Sequence, residues 1–166
     1  MIDTNIEGWM NKTELDQLSL WAKEVTPNGV IVEVGSFKGL SASAWATADP
    51  TVKIYCIDHF QYMDEFINNT REFVNIIPLK GDSPNGIEYP GDPIDIFFLD
   101  AAHSNPSDLL NIDYFLPFIK PGGLLCGHDY ADCRYPDVMT NVRTLEEKLG
   151  QKVTLYPRTS LYSFRI

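Results

Sequence analysis

The sequence predicts an α/β fold: one open, doubly wound sheet of seven strands, Rossmann-like, with helices between the strands and an antiparallel last strand. Three observations carry this. Short apolar runs alternate with segments of helical periodicity along most of the chain. The first run, from Val30 to Val34, contains Glu33 and passes through Gly35 and Gly39 directly into a helix of small residues. The chain closes on two runs separated by Pro157-Arg-Thr159, which read as a hairpin. With 166 residues, the chain is expected to be a single domain, 1–166, whose residues 1–28 form an N-terminal helical segment.

Each element follows from local chemistry. Thr13 is expected to cap the first helix with Asp16 in its first turn, placing Leu15, Leu18, Ala22 and Val25 on one face; Pro27-Asn28-Gly29 ends it. Val30, Ile31, Val32 and Val34 read as a strand buried on both faces. Ser41, Ala42, Ser43, Ala44 and Ala46 let the next helix lie close to the sheet. A second strand over Lys53–Asp58, a helix near Tyr62–Glu72 and a third strand over Val74–Leu79 follow, closed by Gly81-Asp82-Ser83. Ile94–Asp100 is the fourth strand, and Pro106 opens a helix through Phe115. Pro121-Gly-Gly123 precedes a short fifth strand, Leu124–Gly127. A helix over Pro136–Leu149 places Val138, Val142, Leu145 and Leu149 on one side, and strands over Lys152–Tyr156 and Ser160–Arg165 complete the sheet.

Composition narrows the function classes. Acidic residues outnumber basic ones 23 to 13, giving a net charge of −10 with no Lys/Arg cluster, which argues against a nucleic-acid substrate. No apolar run approaches membrane-spanning length, and the acidic N-terminus has neither a secretory nor an anchoring pattern. Cys56, Cys126 and Cys133 are an odd count in non-motif spacing, and the first two fall inside strands as reduced core thiols, consistent with a cytoplasmic protein.

The chemistry is expected at the carboxyl ends of the strands, where ligands sit in open α/β sheets. The stretch Glu33-x-Gly35-Ser36-Phe37-x-Gly39-x-Ser41 lacks one glycine of a dinucleotide cradle, and a carboxylate beside the turn suits a cationic nucleoside better than a pyrophosphate. That disfavours a nicotinamide-dependent oxidoreductase. Asp58, 19 residues past Gly39, lies where a carboxylate accepts from ribose hydroxyls, with His59 beside it as an outlying group. Gly81, Asp82 and Ser83 lie where an adenine edge would meet a backbone amide and a short side chain. Asp100 and Asp129 end strands that should be neighbours about 5 Å apart, so their carboxylates need a shared proton, a cation or a metal. His103 and His128 are the candidate bases, with Asp129 among the catalytic groups.

On these residues the chain resembles the class I S-adenosylmethionine (SAM) dependent methyltransferases. From about Gly8 to Ile166 it is similar to a small single-domain family marked by Gly8-Trp9-Met10, the Glu33-to-Ser41 motif, Asp100-x-x-His103 and Gly122-Gly123-x-x-x-x-His128-Asp129. Macrocin-type sugar and catechol-type O-methyltransferases look like more distant relatives. The resemblance implies a seven-stranded class I methyltransferase sheet, SAM as cofactor, and methyl transfer to oxygen of a small molecule or sugar. In catechol-type relatives the positions matching Asp100 and Asp129 carry magnesium ligands. Here the neighbours are His128 and Tyr130, and an added imidazole shifts the preference from Mg²⁺ toward Mn²⁺, Fe²⁺ or Zn²⁺, or toward no metal. The second function class is a noncatalytic nucleoside-binding domain serving in assembly. Trp9, Trp21 and the first helix are candidate contact surface, including for a homodimer.

Overall fold

The computed structural model describes residues 5–166, so the first four residues of the N-terminal segment lie outside it. Helix α1 covers Lys12–Glu24. Its cap is Asn11 and not Thr13: the Asn11 side chain accepts from the amides of Thr13 and Glu14, while the Glu14 carboxylate accepts from the Asn11 amide. This reciprocal box satisfies more orphan amides than a threonine two residues further in could reach.

Strand β1 is Val30–Val34, followed by α2 at Leu40–Ala48, β2 at Lys53–Asp58 and α3 at Met63–Thr70. Then come β3 at Ile76–Lys80, β4 at Ile94–Leu99, α4 at Ser107–Phe115 and β5 at Ile119–Gly127. Helix α5 at Pro136–Leu149 leads to β6 at Thr154–Leu155 and β7 at Tyr162–Arg165. The seven strands are ordered β3-β2-β1-β4-β5-β7-β6. β1 to β5 pair in parallel, and β7 runs antiparallel to both β5 and β6.

Alternation along the strands divides the core into two layers. Ile31, Ile54, Cys56, Ile96 and Phe98 face α1, α2 and α3, where Leu18, Trp21, Trp45 and Phe66 are buried. Val32, Val34, Ile57, Phe97 and Leu125 face α4 and α5 through Ile112, Phe115, Val142 and Leu145. Burying each such side chain contributes roughly 1.5–3 kcal/mol. Cys56 and Cys126 are buried free thiols and Cys133 is exposed. Among the described residues, no helix is long and apolar enough to cross a membrane.

Two strand ends meet through one glycine. Gly35 has φ +93°, and a Cβ there would lie 1.8 Å from the Asp100 carbonyl oxygen. Its amide donates to the Ile57 carbonyl, and the Asp100 amide donates to that of Val34. Gly35→Ala should therefore lower unfolding free energy by roughly 3 kcal/mol or more. An unchanged denaturation midpoint would show that the ends of β1 and β4 do not touch in this way.

Candidate active site

Beyond the carboxyl ends of β1, β2, β3, β4 and β5 lies a cleft of about 420 Å³. Its floor and walls include Gly35, Phe37, Asp58, His59, Gly81, Asp82, Ser83, Asp100, His103 and Asp129, joined by Trp9, Asn111, Arg134 and Tyr135. The strand ends thus bring together ten of the residues singled out in the sequence.

Five others stand elsewhere. Glu33 is fully buried beneath α2 and does not line the cleft. Its carboxylate accepts from Ser36 Oγ at 2.8 Å and Trp45 Nε1 at 3.2 Å. Burial pushes it up to about 7, against hydrogen bonds from Ser41, Ser36 and Trp45. Glu33 therefore ties β1 to α2, and the expectation that its charge faces a ligand is corrected. Its side chain stands perpendicular to the sheet, as any mid-strand residue must. Gly39, with φ +90°, caps α2 against Thr70 and Phe66. Ser36 and Ser41 line a small adjoining cavity with Gly35, Phe37 and Asp100. His128 is buried and turned toward α1.

Asp58 holds the rim. Its Oδ2 accepts from the amides of Ser36 (3.0 Å) and Phe37 (2.9 Å), and its Oδ1 from that of Phe60 (2.7 Å). Phe37 and Phe60 have φ of 44° and 53°, a left-handed backbone that these bonds help to pay for. At β3, the Ser83 hydroxyl donates to Asn111 Oδ1 at 2.6 Å, fixing the turn against α4. His59 and Asp82 are largely exposed, 3.7 Å apart on the rim.

The polar centre lies after β4 and β5. His103 Nε2 is 3.0 Å from Asp100 Oδ1 and 2.8 Å from Asp129 Oδ2. Tyr135 stacks on the His103 ring at 4.4 Å. Burial by itself would lower the His103 pKa, but the hydrogen bonds to Asp100 and Asp129 outweigh it and lift the imidazole to about 9. The two carboxylates thus favour the imidazolium, and the ring becomes a base only when a charge beside it makes the proton leave more readily. Behind it, His128 Nδ1 lies 3.3 Å from Asp129 Oδ2 and its Nε2 lies 3.1 Å from Glu14 Oε1, out of line with the ring N–H. Burial lowers its pKa, but the carboxylates of Asp129 and Glu14 outweigh this and raise it to about 10. Burial would raise Glu14, but His128, Ser160 and Asn11 together bring it down to about 2.

Glu14 is the group that sequence reasoning missed. Its signal was the Asn11-x-x-Glu14 capping box, which marks a helix start and says nothing of a buried contact to His128. Tyr135 and Arg134 were missed because both precede α5 in a loop without a motif.

Asp100, His103 and Asp129 offer two carboxylate oxygens and one imidazole nitrogen, all within 4.8 Å of one another. Such a mixed set fits a divalent ion, with Mn²⁺, Fe²⁺ or Zn²⁺ suiting the nitrogen better than Mg²⁺, and binding would displace the imidazole proton.

A model of the methyltransferase domain matches residues 32–130, the span from β1 to the loop after β5. The chain belongs to this methyltransferase family. A curated relative, the fibrillarin-like rRNA/tRNA 2′-O-methyltransferase of Methanococcus aeolicus, is 26% identical over 124 residues, 73% of this chain and 52% of the relative. The chain thus spans about half the length of that relative. Among solved structures, the TDP-rhamnose 3′-O-methyltransferase CalS11 of calicheamicin biosynthesis superposes with a TM-score of 0.73 at 16% identity, covering 92% of this chain and 77% of that one. The precorrin-6y C5,15-methyltransferase of Geobacter metallireducens gives 0.73 at 15% identity, covering 99% and 94%. MycE of mycinamycin biosynthesis, solved with Mg, S-adenosylhomocysteine and mycinamycin VI, gives 0.71 at 14% identity, covering 98% and 51%. These likenesses establish the class I methyltransferase fold.

The two histidine ion pairs make stability depend on pH. Both imidazoles have folded-state pKa values above the ordinary value of about 6.5. Their contribution is complete below that value and is lost as pH rises through about 9 for His103 and about 10 for His128. The thermal midpoint should fall across this interval, and Asp129→Asn should flatten the fall. A wild-type midpoint that is constant from neutral to alkaline pH would contradict the pairing.

Proposed function

We propose that this chain binds SAM in the cleft and transfers its methyl group to a hydroxyl of a small molecule or sugar. One observation supports the reading most: within a methyltransferase-family fold, Asp100, His103 and Asp129 converge at one end of a cleft whose other end carries Asp58 and the Gly81-Asp82-Ser83 turn. In this reading Asp58 bonds the ribose, Gly81 to Ser83 meet the adenine, and Gly35 lets the backbone approach without a side chain in the way.

Transfer is an in-line displacement in which the acceptor oxygen attacks the sulfonium methyl carbon, the carbon–sulfur bond breaks, and the hydroxyl proton leaves. Asp100 and Asp129 supply negative charge where a sulfonium would sit. A positive charge brought beside them disfavours the imidazolium, so His103 releases its proton more readily and the neutral ring can accept that of the hydroxyl. Tyr135 holds the His103 ring in plane, and Glu14 through His128 steadies Asp129. A divalent ion on Asp100, His103 and Asp129 would supply Lewis-acid polarisation of the hydroxyl. Holding the oxygen near the methyl in a cleft shielded from water contributes most of the acceleration.

The rRNA/tRNA activity named for the curated relative is the second reading, and the acidic balance of this chain, −10 overall, weighs against it. A cytoplasmic location, consistent with the free thiols, and a homodimer are further parts of the proposal.

Two substitutions separate binding from chemistry. Asp58→Asn should weaken SAM binding at least about tenfold by calorimetry. Asp129→Asn should reduce turnover by about 100-fold or more while SAM affinity changes by less than about threefold. Equal turnover in the second variant would remove the Asp129 cluster from the reaction. Exhaustive chelation decides the metal: loss of turnover restored by Mn²⁺ assigns an ion to the Asp100, His103 and Asp129 set, and full turnover leaves His103 acting alone.

A further inference from the structure

The methyl-transfer reading assigns the carboxylates of the cleft to the cofactor and the reacting groups, but it draws nothing for the acceptor from their summed charge or from the aromatic surface beside them. Asp58, Asp82, Asp100 and Asp129 all line it. Among the described lining residues the basic groups are His103, shared between Asp100 and Asp129, His59, 3.7 Å from Asp82 on the rim, and Arg134. Arg134 is already bound to Asp132, with Nη2 at 2.6 Å and Nε at 3.0 and 3.1 Å from the carboxylate oxygens. Each of these basic groups already faces a carboxylate, and four carboxylates line the cleft against three basic groups, so the lining keeps a net negative charge. Lys38, behind Phe37, is paired with Glu7 at 2.8 Å. Even a divalent ion on Asp100 and Asp129 would leave Asp58, whose hydrogen-bond partners are backbone amides, without a counter-charge.

Trp9 is the second feature. Trp21 and Trp45 are buried in the core, whereas Trp9 is 76% exposed and lines the cleft. Its ring lies 4.7 Å from that of Phe37, so one part of the indole rests on the protein and the remainder is open. An exposed indole at a cleft wall is a platform for a sugar ring or an aromatic ring, and its π-face attracts cations. The carboxylates and the indole therefore select for the same charge.

We propose that the acceptor is an uncharged or amine-bearing hydroxylated small molecule stacked on Trp9, and that the cleft rejects phosphate- and carboxylate-bearing acceptors such as nucleotide sugars, CoA esters and RNA. This rests on the reading of the cleft as a SAM-dependent methyl-transfer site. Trp9 is then a specificity-determining residue.

The test uses the full chain saturated with S-adenosylhomocysteine, with chelator present so that no stray ion supplies a counter-charge. Three phenols differing in charge serve as probes: tyramine, 4-hydroxybenzyl alcohol and 4-hydroxyphenylacetate, with binding followed by ligand-observed NMR. Tyramine should bind at least about tenfold more tightly than 4-hydroxyphenylacetate, with the alcohol between them and the gap narrowing as salt is raised. Trp9→Ala should weaken tyramine and the alcohol by about tenfold, and S-adenosylhomocysteine binding by the same variant shows that it is folded. Equal or tighter binding of the carboxylate, no binding by any of the three, or indifference to Trp9→Ala overturns the proposal. Failure of the wild type to bind S-adenosylhomocysteine overturns instead the methyl-transfer reading beneath it.

Discussion

The site depends on the register of four parallel strands. Val34 lies opposite both Ile57 and Leu99, and Leu99 lies opposite Gly127, so β1, β2, β4 and β5 end in one row. The next residue of each strand is Gly35, Asp58, Asp100 or His128. A slip of one residue in any strand would send its terminal polar group to the opposite face of the sheet. Register is held by the core: Ile31, Ile54, Ile96 and Leu124 face one helical layer, and Val32, Tyr55, Phe97 and Leu125 face the other. Chemistry at the top of the sheet is thus fixed by apolar packing well below it.

Electrostatics then acts on what register has assembled. Asp100, Asp129 and Glu14 surround two imidazoles at contact distance, and the two rings stay charged because removing either proton would leave partly buried carboxylates unpaired. The apo cluster is therefore a compensated set of charges, poised so that a cation entering the cleft can take over part of the role of His103. The same logic explains why Glu33 cannot take part. It is enclosed by Ser36, Trp45 and Cys56, and it serves the loop that shapes the cleft.

The fold was legible where side-chain pattern and burial coincide. Val30–Val34, Lys53–Asp58 and Pro136–Leu149 are read correctly at both ends because apolar periodicity there is bounded by turn residues. The sheet margins were less legible. Val74 is apolar but 98% exposed, and β3 begins at Ile76. β6 shortens to Thr154–Leu155 at the outer edge of the sheet. β5 starts at Ile119, five residues before Leu124, because Ile119 pairs with Ile94 and the chain runs through Pro121-Gly-Gly123 with a shift in register. In the site, residues just past a strand end were legible, since a strand terminus points at the cleft whatever its side chain. Glu33 and His128 were not, because their directions depend on which packed layer receives them, and that is a tertiary fact.

In Asp58, holding the rim and the proposed binding of a nucleoside would fall to one side chain. A carboxylate has about four acceptor sites, and Asp58 spends three of them on the amides of Ser36, Phe37 and Phe60. Those bonds offset the left-handed backbone of Phe37 and Phe60, as Asp108 does for His103 by accepting from its amide. One site, on Oδ1, is left. Under the proposed reading, a ribose hydroxyl would fill that site, and a second hydroxyl drawn to the same carboxylate would compete with an amide that shapes the loop beside Trp9. Were the cofactor on Asp58 and the acceptor on Trp9, as proposed, the two would be linked through Phe37, whose amide Asp58 holds and whose ring Trp9 rests upon.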